Sequence, residues 1–182
     1  MNYNKILSKY SPININNKKI VLYTVIFGNY DQLKEIQSTE SEIEYICFTN
    51  QNIKHSLWKI IFVDEKNLDN IILARLFKLN PHILFKDFSE SIFIDGSIKI
   101  KKSMLEFKNK YFSKSKICFF KHPSRNCIFK EIMACIILNK DDKFKLLKLI
   151  KTYKKKKYPI NNGLVSTGFI YRHHNDSDII KL

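Results

Sequence analysis

The segment ESIFIDGSIKI, residues 90–100, places Asp95, Gly96 and Ser97 directly after an apolar run that is typical of a buried strand. An ionised carboxylate is costly to remove from water, so an acid at this point needs a partner. The glycine would let a bulky ligand approach the backbone, and the carboxylate suits a divalent cation that bridges phosphate oxygens. Asp-Gly pairs are also common in ordinary turns. The segment alone leaves a ligand site and a plain turn open.

Two basic residues form a second group. Arg75 and Lys78 lie three apart in DNIILARLFKLNPH and therefore share one side of a predicted helix. They either offset the charge of a diphosphate, for which the guanidinium fork is suited, or rest their apolar stems on the protein surface. His82, just past the helix end, is either a ligand or a capping residue.

The third group lies in KHPSRNCIFKEIMACIIL, where His122 and Arg125 flank the predicted start of a helix. Glu131 shares a helix face with Cys127 and Cys135, so it points partly toward apolar surroundings. An inward acid needs a partner. Glu131 either pairs with Arg125 or a lysine, or binds sugar hydroxyls.

Strands and helices alternate along the chain, which predicts an α/β sandwich of Rossmann type with a sheet that is parallel in its centre. In such sheets ligands bind at the carboxyl ends of the strands, where Asp95 and the segment from Gly28 to Asp31 fall. The predicted strands are 20–27, 44–49, 58–63, 91–95, 116–120 and about seven residues after a turn at 161–163. The predicted helices are 69–80, 103–111, 123–138 and 141–154.

The formal charge of +15 suggests a nucleic-acid partner, but only three of the 32 basic residues are arginine. Nucleic-acid readers favour the bidentate fork of arginine, so we expect no nucleic-acid partner. The run KTYKKKKY, residues 151–158, is interpreted as a solvated helix end or loop, with an acidic surface or substrate as the alternative.

At 182 residues and 45% hydrophobic composition, the chain fits a single domain, 1–182. It has no transmembrane run and no signal-peptide pattern, so we expect a soluble, cytoplasmic protein with four reduced cysteines. The patterns G-x-x-x-x-G-K-[ST] and G-x-G-x-x-G do not occur, which argues against a P-loop ATPase and a standard dinucleotide site.

Several motifs together resemble one known family. VLYTVIFGNYDQL, ARLFKLNPHILF, SIFIDGSIKI, FFKHPSRNCIFKEIMACI and NNGLVSTGFIYRHHND occur in the order seen in the glycosyltransferase-like domain family that includes plant mucilage-related and turgor-regulation proteins and bacterial relatives. The resemblance covers about residues 18–178. It implies a fold of the GT-A type, a Rossmann-like three-layer sandwich with a mostly parallel central sheet, and a nucleotide-sugar donor with a saccharide acceptor.

The resemblance also implies roles for individual residues. The implied catalytic residues are Asp95, Glu131 and His122, and Asp95 is also the implied ligand of a divalent cation, manganese or magnesium. The implied substrate-binding residues are Phe27, Tyr30, Asp31, Arg75, Lys78, His82, Gly96, Arg125, Asn162, Gly163 and His174.

The chain departs from the family pattern in two ways. Ser97 stands at the third position of a D-x-D motif, and Ser166 stands near a position where members usually carry an acid. Members also extend well beyond the NDSD segment, so we expect this chain to lack the family's C-terminal part. A catalytically inactive module that binds nucleotide sugars or saccharides is therefore the alternative to an enzyme, followed by a basic nucleic-acid-binding protein.

Overall fold

A computed structural model describes residues 2–181 and contains a six-stranded sheet in the order β3-β2-β1-β4-β6-β5. β1 pairs in parallel with β2 and β4, β2 pairs in parallel with β3, and β4 pairs antiparallel with β6. The predicted α/β class with a parallel sheet centre is confirmed. The strands are β1 Ile20–Ile26, β2 Ile43–Thr49, β3 Lys59–Phe62, β4 Glu90–Ile94, β5 Ile117–Lys121 and β6 Val165–Arg172.

The described residues form seven helices, four of which were expected from the sequence pattern. The additional helices α1, α3 and α7 span only 7, 4 and 4 residues, too short for a clear apolar period. None of the helices within residues 2–181 combines the length and apolar character needed to cross a membrane. The helices are α1 Tyr3–Lys9, α2 Asn70–Leu79, α3 Pro81–Leu84, α4 Met104–Tyr111, α5 Ile128–Ile137, α6 Lys143–Lys155 and α7 Ser177–Ile180.

The start of α2 was predicted correctly from local chemistry, and the start of α5 was not. Asp69 caps α2 as predicted, because its carboxylate accepts the backbone N–H groups of Ile71 and Ile72 at 2.8 and 3.3 Å. The predicted start of α5 near residue 123 is wrong, since the helix begins at Ile128. The ring of His122 accepts the N–H groups that follow it, so this segment forms a side-chain-stabilised turn before the helix.

Buried apolar side chains cover both faces of the sheet. On one face, Phe77 of α2 packs against Phe48, with ring centroids 4.9 Å apart, in a cluster that also includes α1 and α3 side chains. On the other face, Phe112 after α4 stacks on Tyr171 of β6 at 5.4 Å, in a separate cluster. The larger part of the chain is therefore a helix–sheet–helix sandwich.

The chain forms two compact units. The larger unit comprises Met1–Cys118 and Gly168–Leu182, and the smaller unit comprises Phe119–Thr167. The single-domain organisation stays a prediction. All four cysteines, at positions 47, 118, 127 and 135, are free thiols, as expected for the reduced state.

A buried polar cluster joins β6 to the helices on the first face. Arg172 donates to the hydroxyl of Tyr23 at 2.6 Å and to the carbonyl of Lys78, at the end of α2, at 2.8 Å. His174 is 1% exposed, and its Nε2 donates to the carbonyl of Phe85 at 2.9 Å. Burial lowers the pKa of His174 to about 4, and the nearby charge of Arg172 acts in the same direction. His174 is thus neutral in the folded protein at neutral pH.

This burial predicts a loss of stability in mild acid. Between pH 6.5 and about 4 the unfolded chain takes up a proton at this histidine, whereas the folded chain does not, so acid favours unfolding. The contribution of His174 to the free energy of unfolding should fall by about 2 to 3 kcal/mol as the pH is lowered across this window. Urea titrations at pH 7 and pH 4.5 would measure it.

The matched variant is His174→Gln, whose amide can still donate to the Phe85 carbonyl but does not titrate. Its free energy of unfolding should depend less on pH than that of the wild-type chain by the same 2 to 3 kcal/mol, as an order of magnitude. Equal pH dependence in the two proteins would contradict the assignment.

Candidate functional site

The loops after β1 and β4 meet at the carboxyl edge of the sheet. A Cβ atom on Gly96 would lie only 2.9 Å from Cγ1 of Ile26 and 3.0 Å from Cβ of Asp31. A contact of 2.9 Å is essentially never seen for a real Cβ atom and one of 3.0 Å is rare, so the glycine allows the loop containing Asp31 to approach the backbone of the Asp95-Gly96 turn closely. The packing brings two predicted acids to one place on the sheet edge.

Asp95 has the partner that its position after an apolar strand requires. Its carboxylate lies 3.1 Å from Nζ of Lys78, and that ammonium group also sits 4.5 Å from the ring centroid of Phe93. The side chain of Asp95 is 44% exposed, while that of Lys78 is only 18% exposed. The acid is therefore paired and still open to solvent. The ammonium group of Lys78 is thus fixed between the carboxylate of Asp95 and the buried ring of Phe93.

A polar network joins the ends of β1 and β2 to the start of α2. Gly28 adopts a positive φ of 65°, and its N–H donates to Oδ1 of Asn50 at 2.8 Å. Asn50 in turn donates to Asn70 at 3.0 Å, and Gln51 donates to the carbonyl of Gly28. A side chain at Gly28 would meet Asn70 at 2.9 Å. The network fixes the loop that carries Tyr30 and Asp31.

Gln51 and Asn70 were not found by sequence reasoning. The sequence pattern around them gives little indication of a role, since a polar residue after a strand or at the first position of a helix is common in any α/β protein. Their role becomes visible only when the two strand ends and the helix are brought together.

The remaining predicted residues of the larger unit differ in accessibility. Tyr30 is 80% exposed, whereas Phe27 is 5% exposed and packs 5.6 Å from the ring of Phe77. Arg75 is exposed on α2, and His82 is half-buried. Burial, together with the charge of Arg172, lowers the pKa of His82. Tyr30 and Arg75 are exposed to solvent, while Phe27 and the buried His174 described above are enclosed by protein. Their binding roles stay predictions.

The smaller unit holds a second predicted group around Glu131. Nδ1 of His122 accepts the backbone N–H groups of Ser124 and Arg125 at 3.2 and 3.0 Å, so its proton is on Nε2. That Nε2 lies 3.5 Å from the carboxylate of Glu131, to which Nε of Arg125 also donates. Cys135 completes the surroundings, with its sulfur 3.7 Å from the other carboxylate oxygen.

Glu131 pairs with Arg125, which was one of the two roles that the sequence left open for this acid. Glu131 remains 26% exposed, so the carboxylate is oriented by two neighbours without being sealed off. Such an oriented acceptor is suited to hydrogen bonds with hydroxyl groups. A role in binding sugars therefore stays open beside the ion pair.

Two further predicted residues, Asn162 and Gly163, lie in an exposed turn of the smaller unit. Gly163 has a φ of 84°, and its N–H donates to the carbonyl of Asn126 at 3.0 Å. Asn162 donates to the hydroxyl of Tyr158 at 3.3 Å. The glycine is therefore needed for the backbone conformation of the turn, and a ligand role stays a prediction.

A cavity of about 540 Å³ opens at the opposite, amino-terminal edge of the parallel strands in the larger unit. Its charged lining residues are largely paired: Lys108 lies 2.7 Å from Glu90, and Lys18 lies 3.0 Å from Glu44 beside the cavity. The hydroxyl of Tyr171 donates to Glu90 at 2.8 Å. No residue predicted from the sequence to bind a ligand lines this cavity.

Comparison with known proteins agrees with the resemblance noted in the sequence. Neither curated proteins nor solved structures gave a match to this chain. A family model described as TOD1/MUCI70, glycosyltransferase-like domain, matches residues 5–177 of the 182. The chain therefore belongs to the TOD1/MUCI70 family of glycosyltransferase-like domains.

Proposed function

We propose that this protein is a glycosyltransferase of GT-A type that moves a sugar from a nucleotide-diphosphate donor to a saccharide acceptor. The observation that carries the proposal is the close approach of two loops at the carboxyl edge of a parallel sheet, which Gly96 allows and which brings Asp31 to the Asp95 turn. In open α/β sheets this edge is where ligands bind. Membership of the glycosyltransferase-like family supplies the reaction class.

Lys78 is the group best suited to the diphosphate. Its side chain is largely buried and its ammonium lies 3.1 Å from Asp95, so the charge is already positioned before a ligand arrives. A fixed cation at low solvent exposure stabilises the charge that develops on a departing diphosphate more than a mobile surface lysine would. Arg75, three residues earlier on the same helix, is exposed and can add a second cation.

We propose that a divalent cation binds together with this donor. Within residues 2–181, no group of three or more histidine, cysteine or acidic side chains is arranged to hold a metal ion. Manganese or magnesium in phosphate sites needs only one or two carboxylates, with the phosphates as further ligands, so Asp95 and Asp31 fit this chemistry. When bound, the ion would neutralise charge on the diphosphate leaving group.

The acceptor role is proposed for the group around Glu131 in the smaller unit. Its carboxylate is oriented by Arg125 and faces the Nε2–H of His122 at 3.5 Å. Each saccharide hydroxyl can both donate and accept a hydrogen bond, so it can bind to the Glu131 carboxylate as an acceptor and to the Nε2–H of His122 as a donor. We propose that Glu131 and His122 position such hydroxyls.

The second candidate is a nucleotide-sugar-binding module without turnover. It is favoured by Ser97, which replaces the second carboxylate of a D-x-D motif, so that the turn holds one acid. Binding would then use the same sheet edge without transfer.

A donor panel distinguishes the two candidates. The protein is incubated with UDP- and GDP-sugars, with and without manganese, and both the melting temperature and donor hydrolysis are measured. We expect at least one donor to raise the melting temperature, because a ligand that binds only the folded state stabilises it, and to be hydrolysed. Stabilisation without hydrolysis under any condition supports the binding module. A lack of response to every donor contradicts both.

The same panel tests the cation. Stabilisation by the donor should increase when manganese is added to the wild-type protein and should not increase in Asp95→Asn. Asp87→Asn, at an exposed acid on a different loop, is the matched control and should behave like wild type. An unchanged manganese response in Asp95→Asn would remove Asp95 from the proposed cation site.

Lys78 gives a separate prediction. Replacing it by methionine keeps the apolar stem over Phe93 and removes the charge, so affinity for the donor should fall roughly 10- to 100-fold, the range expected for a lost hydrogen bond to a charged group. Lys86→Met, at an exposed lysine, should change affinity little. Isothermal titration would measure both, and equal affinities in Lys78→Met and wild type would count against the diphosphate role.

A further inference from the structure

Positive charge is concentrated in the smaller unit. Residues 119–167 contain eleven lysines and one arginine but only three acids, within a chain whose total formal charge is +15. Most of these lysines lie on or beside helix α6, Lys143–Lys155. The helix and its flanks therefore present a strong positive field to anything that approaches.

One side of α6 is used for packing inside the smaller unit. Leu146, Ile150 and Tyr153 are partly buried, and they share one face because they are spaced four and three residues apart. The ring of Tyr153 lies 6.4 Å from that of Phe129, in the first turn of α5. Contact between the end of α6 and the start of α5 shows that the two helices run antiparallel.

The opposite side of α6 is solvent-exposed and combines charge with one aromatic ring. Phe144, Lys148, Lys151 and Lys155 are spaced four, three and four residues apart, so they form a single line along the helix, which we call the basic face. All four are exposed, and Phe144 is 81% exposed. A phenylalanine ring left in water at the end of a row of lysines has no role in packing this unit.

Further apolar side chains lie at the same end of the helix pair. Ile137 is 78% exposed and Leu138 61% exposed, at the end of α5, and the short turn that follows leads into the first turn of α6. Together with Phe144, in the first turn of α6, they place three exposed apolar side chains at this end of the helix pair, which we call the apolar tip. Phe144 belongs to both the tip and the basic face.

We propose that the basic face and the apolar tip bind the surface of an anionic lipid bilayer. The lysines would contact anionic phosphate headgroups, and the tip would enter the boundary between headgroups and acyl chains, as in interfacial amphipathic helices. In this arrangement the helix lies on the surface of the membrane. The proposal does not rest on the donor or acceptor chemistry above.

Charge complementarity alone would also fit a nucleic acid, and the apolar tip decides between the two. Ile137 and Leu138 are aliphatic and exposed, so they gain free energy by entering lipid but have no matching surface on a phosphate backbone. The smaller unit also has only one arginine, the residue that nucleic-acid sites favour. An anionic bilayer can bind both the lysines of the basic face and the apolar side chains of the tip.

The experiment is co-sedimentation of the whole chain with vesicles of phosphatidylcholine alone and of phosphatidylcholine mixed with phosphatidylglycerol. We expect binding to the mixed vesicles that weakens as salt is raised, and little binding to phosphatidylcholine alone. Absence of binding to the mixed vesicles at low salt would overturn the proposal. So would equal binding to both kinds of vesicle, because the lysines would then have no role.

Charge variants locate the surface. Lys148→Gln, Lys151→Gln and Lys155→Gln combined should weaken binding on the order of 100-fold, since each lysine near an anionic surface contributes roughly a fivefold effect. The control combines Lys5→Gln, Lys54→Gln and Lys114→Gln, three exposed lysines of the larger unit, and removes the same charge. An equal loss in the control would show that only net charge matters and would overturn the assignment of the surface.

A matched pair tests insertion. Phe144→Ser should weaken binding about tenfold or more, because burial of its ring is lost. Ile15→Ser, at a side chain that is 79% exposed in the larger unit, should leave binding unchanged. Equal binding of Phe144→Ser and wild type would show that the apolar tip stays in water. Tighter binding to single-stranded DNA or RNA than to mixed vesicles, lost in the same lysine variants, would assign the face to nucleic acid instead.

Discussion

The packing of Phe77 against the sheet is the contact on which the candidate site depends. The ring is fully buried and lies within 5.9 Å of the rings of Tyr10, Phe27 and Phe48, so α2 has one rotational setting on the sheet. The next residue, Lys78, is thereby directed to Asp95 at the end of β4. Loss of a buried phenylalanine of this kind costs about 3 to 5 kcal/mol and would also release the lysine.

The parallel pairing of β1 with β2 and β4 supplies the second half of the arrangement. Because these strands point the same way, the loops that follow them share one edge, and Gly96 allows two of those loops to touch. The acid after β4 is partly exposed and paired with Lys78, and the backbone of the glycine that follows it lies close to Cβ of a second acid, Asp31, a combination that an ordinary Asp-Gly turn does not need. The family supports the reaction class, and we propose that the nucleotide sugar binds at this edge and that the group around Glu131 in the smaller unit binds hydroxyl groups.

Much of the fold was predictable from the sequence, for identifiable reasons. The central strands are continuous apolar runs, and Asp69 is a strong helix cap, so their boundaries were predicted within about one residue. The start of α5 was missed because it depends on the ring orientation of His122, which apolar periodicity does not encode. The pairing of Lys78 with Asp95, 17 residues apart, and the contacts of Asn70 arise only when separate elements pack. Both partners of the pair were predicted as site residues, but their contact was not.

Amide hydrogen exchange with and without a nucleoside diphosphate, followed by mass spectrometry, tests the central claim most directly. If the carboxyl edge binds the donor, the peptides that contain residues 28–31 and 95–97 should exchange more slowly when the ligand is present. The cavity at the amino-terminal edge provides the contrast, because Asn16, Lys19 and Ser41 line it and lie outside the proposed site. Protection confined to those residues, with none at the carboxyl edge, would contradict the account.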